Sequence, residues 1–151
     1  MSLIADSLDR MIVNTILVAV DGSPASVRAA RAAVGFAHDH VAKVIVLAFS
    51  DGEEGLGSKA AIEHDDARDS AYLVGEYALK ARIPCEMDLL YSAQPAKEII
   101  AEAERRHCDL IWLPASTGTG QDERLLHPGV ATEVLTRTRV PVMLFRSRAS
   151  A

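Results

Sequence analysis

The sequence predicts an α/β protein, a doubly wound sheet of five parallel strands with helices on both faces. Three observations carry this. Five short segments, 15–20, 44–49, 85–91, 109–114 and 141–145, have the length and apolar pattern of strands. The stretches between them place apolar residues at steps of three and four, the period of a helix face. Strands joined through helices pair in parallel, and right-handed crossovers then distribute the helices over both faces.

The first strand is Thr15 to Val20, apolar and β-branched, and it stops at the turn residues Asp21-Gly22-Ser23-Pro24. A helix follows. Ser23 suits its N-cap and Pro24 its first position. Val27, Ala30, Val34, Ala37 and Val41 form its inward stripe. Val44 to Phe49 is a continuous apolar run, hence a buried strand, and "SDGEEGLGS" after it reads as a loop. Ala67, Ala71, Val74 and Ala78 mark the second helix. In Cys85 to Tyr91 the pattern alternates instead: Cys85, Met87, Leu89 and Tyr91 face one way, Glu86 and Asp88 the other. That suits an edge strand with one face partly wet. The third helix begins near Pro95, turns Ala96, Ile99, Ile100 and Ala103 inward, and ends on the positive groups of "ERRH". "DLIWLP" is the fourth strand, and Val130 and Val134 mark the fourth helix. Pro141 to Phe145 is the fifth strand, with its proline at the tolerated first position.

A chain of 151 residues, 49% hydrophobic and 25% charged, suits one soluble domain, with a core spanning about 14–146. The net charge of −5 argues against general nucleic-acid binding, which needs a basic face. No apolar run approaches the roughly 20 residues of a membrane span. The N-terminus has no early basic cluster and carries two acids, so it does not read as a signal peptide, and the expected location is cytoplasmic, with no membrane partner. Cys85 and Cys108 have no zinc spacing and read as reduced thiols.

In doubly wound sheets, ligands sit beyond the carboxyl ends of the strands, where strand order reverses. Two polar loops lie at such ends. Asp21 is either a carboxylate that accepts from a ribose or helps hold a metal ion, or simply part of an Asp-Gly turn. Ser116 to Gly120, "STGTG", either wraps an anion with successive N–H groups or is a surface connection. Arg124 could meet a phosphate there, and Asp122 and Glu123 oppose one. The standard phosphate-loop motif is absent, and Gly118-Thr119-Gly120 lacks the third glycine of the dinucleotide fingerprint. His38, His40, His64 and His107 read as solvated surface residues, with His127 inside the loop. None has a nucleophile setting such as G-x-S-x-G.

Together these residues resemble the universal stress protein family. "ILVAVDGSPAS" is similar to the family's opening strand, with Asp21 at its acidic position. "CDLIWLPAS" is similar to "ADLIVMGTHG", and "HPGVATEVLTRTRVPVMLF" to "LGSVAEKVLRHAPCPVLVV". The resemblance implies the strand order 3-2-1-4-5, a fold like that of the adenine nucleotide alpha hydrolases, and a homodimer through the last strand: Pro141, Val142, Met143, Leu144 and Phe145. It also implies a site for ATP or AMP with Mg at Ala19, Val20, Asp21, Phe49, Ser116, Gly118, Thr119, Gly129 and Val130, with no catalytic residue and no resident metal ligand.

The family's nucleotide motif, G-x-x-G-x9-G-[ST], is broken here. Pro114 or Ala115 stands at the first glycine, depending on the end from which the loop is aligned. Gly118 keeps the second, Pro128 takes the third, and Gly129 replaces the hydroxyl residue. Proline offers no N–H to a phosphate. At the second strand, Ala48 and Phe49 stand where the family tends to have His-Val, and Phe49 either stacks on a base or fills the pocket. The expectation is therefore a dimeric stress-response sensor or regulator, not an enzyme, with weak or absent ATP binding. The alternative is a true ATP or AMP binder with a variant loop, in which Ser116 or Thr117 replaces the lost hydroxyl. A nucleotidyl-transfer enzyme lacks its phosphate loop and bases here. A purely structural dimer module is compatible with the first reading.

Overall fold

The computed structural model describes residues 9–50, 66–91, 93–115 and 128–146. The elements run β1 (Thr15–Val20), α1 (Pro24–His40), β2 (Lys43–Phe49), α2 (Asp66–Lys80), β3 (Cys85–Leu90), α3 (Pro95–Arg105), β4 (Leu110–Pro114), α4 (Pro128–Arg137) and β5 (Val142–Phe145). The five strands form one parallel sheet in the order β3-β2-β1-β4-β5. Two apolar layers follow from the alternation of side chains along each strand. Ile16, Val18 and Val20 of β1 pack with α1 and α2 on one face. Leu17 and Ala19 pack with α3 and α4 on the other. The central strands β1, β2 and β4 are buried on both faces, which is why they read as unbroken apolar runs.

Three of the helix-to-strand joints share one design. After α1, α2 and α3 the chain passes through a left-handed residue: Val41 at φ 54°, Arg82 at φ 59° and His107 at φ 53°. The following residue returns its N–H to the helix, Ala42 to Ala37, Ile83 to Ala78 and Cys108 to Ala103, each at 2.9 Å. These are Schellman closures, and each sets a buried side chain at the joint. Here the sequence reading needs correction. Val41 is not on the inward stripe of α1; the closure ends the helix before it, leaves it 91% exposed, and gives the buried place to Ala42. The stripe is instead Ala29, Ala30, Ala33, Val34 and Ala37.

The edge strands are less covered. On β3, Cys85 and Leu89 pack inward as expected, but Met87 and Tyr91 are partly exposed because only α2 covers that side of the edge. Glu86 pairs with Lys43 at 2.6 Å, and Asp88 pairs with Arg106, which also meets Glu102 at 3.0 Å. The Lys43 hydrogen bond holds the Glu86 carboxyl below the usual carboxylate range. On β5, Met143 and Leu144 are exposed. Trp112 of β4 is buried beside that edge, with ring centroids 5.4 Å from Phe36 and 6.2 Å from Phe145.

Candidate functional site

The switch point lies between β1 and β4, where the strand order reverses. The two strands part there. Registered pairs between them end at Val18 and Trp112, whereas β1 follows β2 up to Val20 and Ala48, and β4 follows β5 up to Pro114 and Phe145. The last two residues of β1 and of β4 therefore have no registered partner across the gap. Such an opening is where a doubly wound sheet takes its ligand.

Asp21 stands at the β1 side of this opening and is only 3% exposed. Its surroundings are a closed set of hydrogen bonds. Ser23 N–H donates to Asp21 Oδ1 at 2.9 Å. Asp21 N–H donates to Ser26 Oγ at 3.3 Å, and Ser26 Oγ donates to the Ser23 carbonyl at 2.8 Å. Ser23 Oγ caps α1 by accepting from Ser26 N–H at 3.2 Å. The bond from Ser23 N–H engages Oδ1 and leaves Oδ2 outside the turn's own hydrogen bonds. A carboxylate at this place, with Oδ1 held by the backbone, can accept a hydrogen bond from a ligand through its other oxygen.

Gly22 makes the turn possible. Its φ is +91°, and a Cβ built on it would lie 2.6 Å from Asp66 Cβ and 3.0 Å from Ala67 N. The start of α2 thus rests directly on the Asp21-Gly22 turn. The N-termini of α1 and α2, the positive ends of their dipoles, both lie beside the Asp21 turn.

The other expected residues divide into three groups. Ala19, Val20 and Phe49 are fully buried. Phe49 belongs to the same apolar layer as Leu17, Leu47 and Ile99. Gly129 is exposed in the first turn of α4, while Val130 is 5% exposed and packs into the α3/α4 layer. Ser116, Gly118 and Thr119, with Thr117, Arg124 and His127, lie outside the described residues. α4 begins at Pro128, so its first residue supplies no N–H to the crevice. Among the described residues no group of three or more His, Cys, Asp or Glu is placed to hold a metal ion. Nor does any helix among them have the length and apolarity to cross a membrane.

Sequence reasoning missed two contributors. Ser26 and the Gly22–Asp66 contact both belong to the Asp21 turn. The D-x-S-x-x-S spacing was a visible signal for Ser26; nothing in the sequence pointed from Gly22 to Asp66.

This architecture defines a class: a doubly wound α/β protein with a buried carboxylate at the switch point of its sheet. The family model of the universal stress protein family matches residues 13–146, and the chain belongs to that family. Among the curated proteins, none matches it. Solved structures share its fold at low identity. The universal stress protein UspA from Lactobacillus plantarum is 20% identical, with a TM-score of 0.69 over 92% of this chain and 100% of that one. A universal stress protein from Archaeoglobus fulgidus in complex with dAMP is 22% identical, with a TM-score of 0.66 over 89% and 98%. A universal stress protein in complex with cAMP is 21% identical, with a TM-score of 0.67 over 89% and 97%.

Proposed function

We propose that this chain is a non-catalytic, dimeric stress-response regulator whose crevice holds an adenine nucleotide weakly, by its sugar more than by its phosphates. The observation that carries the reading is the contrast between the two sides of the opening. On the β1 side, Asp21 is held through Oδ1 by the turn, and its other oxygen serves as the acceptor for a ribose hydroxyl. On the phosphate side, prolines stand at the end of β4 and at the first residue of α4, where backbone N–H groups would otherwise meet an anion. The nucleotides carried by the structural relatives, cAMP and dAMP, support an adenine ligand of low charge.

Calorimetric titration with ATP and magnesium tests this. A dissociation constant weaker than about 100 μM, or no heat, is expected; that corresponds to less than roughly 5.5 kcal/mol of binding free energy. Micromolar binding would favour the alternative reading, a true ATP or AMP site with a variant loop at Ser116, Gly118 and Thr119, and Mg on the phosphates. In either case Asp21→Ala should weaken whatever adenine nucleotide affinity is measured.

The dimer is proposed through β5. Pro141, Val142, Met143, Leu144 and Phe145 carry no charge, and Met143 and Leu144 are exposed on an edge strand. Met143→Asp should convert the dimer to monomer in sizing experiments, and an unchanged mass would count against this interface.

A further inference from the structure

We propose that Ser26 is the positioning residue of the Asp21 carboxylate, and that through it the site distinguishes sugars that carry ribose hydroxyls from sugars that lack them. The ligand half of this inference rests on the nucleotide reading above; the positioning half does not.

The simpler account makes Ser26 part of a helix cap. In the usual capping box, the residue three after the N-cap reaches back to the N-cap N–H. Here that N–H, on Ser23, is taken by Asp21 Oδ1 at 2.9 Å. Ser26 reaches one step further. Its hydroxyl accepts from Asp21 N–H and donates to the Ser23 carbonyl, so it ties down both residues flanking Gly22. Ser26 is fully buried, and Asp21 and Ser23 are each 3% exposed, so no water readily replaces the hydroxyl. Gly22, at φ +91°, has the most permissive backbone of the turn, and the Ser26 hydroxyl spans it. Without Ser26 Oγ, two of the five bonds that hold the turn to α1 are lost, among them the one that holds Asp21 N–H. One that remains, Ser23 N–H to Asp21 Oδ1, is the bond that holds the carboxylate itself, and it then hangs on a turn with Asp21 N–H unheld.

The test uses the full chain with Ser26→Ala and with Ser26→Cys, which keeps the volume but offers a weak acceptor. The ligand-free readout is amide hydrogen exchange at Ser23. Both variants should lose protection there by about tenfold or more, with the amides of β1 and β2 unchanged. Retained protection at Ser23 would overturn the proposal, whatever the ligand. The second readout is NMR titration with AMP and with its 2′,3′-dideoxy analogue. The native chain should prefer AMP by about tenfold, the lower bound for a hydrogen bond to a charged acceptor. In the variants AMP should fall to the level of the analogue, whose own affinity stays within about twofold. A parallel fall of both ligands would show a merely structural role and overturn the proposal. If the native chain shows no preference while Ser23 protection still depends on Ser26, the nucleotide reading fails and the positioning role stands.

Discussion

Replacing Gly22 by alanine isolates the contact that seats α2 on the switch-point turn. Two costs add. The first is backbone: at φ +91° an L side chain is strained, by about 1–2 kcal/mol. The second is steric. The new Cβ would lie 2.6 Å from Asp66 Cβ, 2.9 Å from Asp66 C and 3.0 Å from Ala67 N, and two of these three atoms are backbone that cannot rotate away. Overpacking of that kind costs about 1–3 kcal/mol. The stiffer unfolded chain returns about 0.4–1 kcal/mol. The expected net loss is about 2–4 kcal/mol, read as a lowered urea midpoint with an unchanged slope. Gly35→Ala is the internal control. Gly35 lies within α1, its φ is not positive, and nothing lies within 4 Å of its missing Cβ, so alanine there should stabilise by about 0.5–1 kcal/mol. Opposite signs for two chemically identical changes are the signature of the argument. A loss below about 0.5 kcal/mol at Gly22 would refute the strained turn and its contact with α2.

Val41→Gly should stabilise by about 0.5–1 kcal/mol in thermal unfolding, because it relieves a β-branched residue in left-handed backbone and removes a side chain that is 91% exposed. The same change at Arg82 or His107 should gain less, since neither is β-branched. Ser23→Ala should cost about 1 kcal/mol through loss of the α1 cap, measured by denaturant titration. Burial pushes the Cys108 thiol up to about 11. An ordinary unfolded thiol ionises near 8.5, so this group's contribution is fully present below that pH and is lost as pH rises toward about 11. Comparing the alkaline stability of the native chain with that of Cys108→Ala checks it: the native chain should fall more steeply in that window.

The fold was legible because its signals are periodic. β1 begins and ends where its apolar run and the Asp-Gly turn place it, and Ala67, Ala71, Val74 and Ala78 are all buried on α2. What escaped was decided by geometry that spacing does not encode. Val41 satisfies the helical period perfectly, yet it is the left-handed residue of a Schellman closure, which puts it in solvent. Met87 and Tyr91 alternate correctly, but an edge strand lacks the neighbour that would cover them. For the candidate site, the place of Asp21 at the end of β1 was legible. Its hydrogen-bonded setting was not, because a serine five residues on is equally plausible as an ordinary helix residue. The role of Phe49 was left open by sequence and depended on which layer its ring joins.

Trp112 gives the molecule an optical reporter. It is the only tryptophan in the chain, and its buried indole Nε1–H has no acceptor among the described residues. Its fluorescence therefore arises from one place, a buried one. Met143 is its registered neighbour on β5, and Phe145 stacks beside it. Anything that docks along the outer edge changes the chromophore's surroundings within two side chains. Trp112 also forms the last registered pair before β1 and β4 diverge. Emission spectra recorded against protein concentration and against nucleotide would thus read the edge and the crevice with the same unmodified protein.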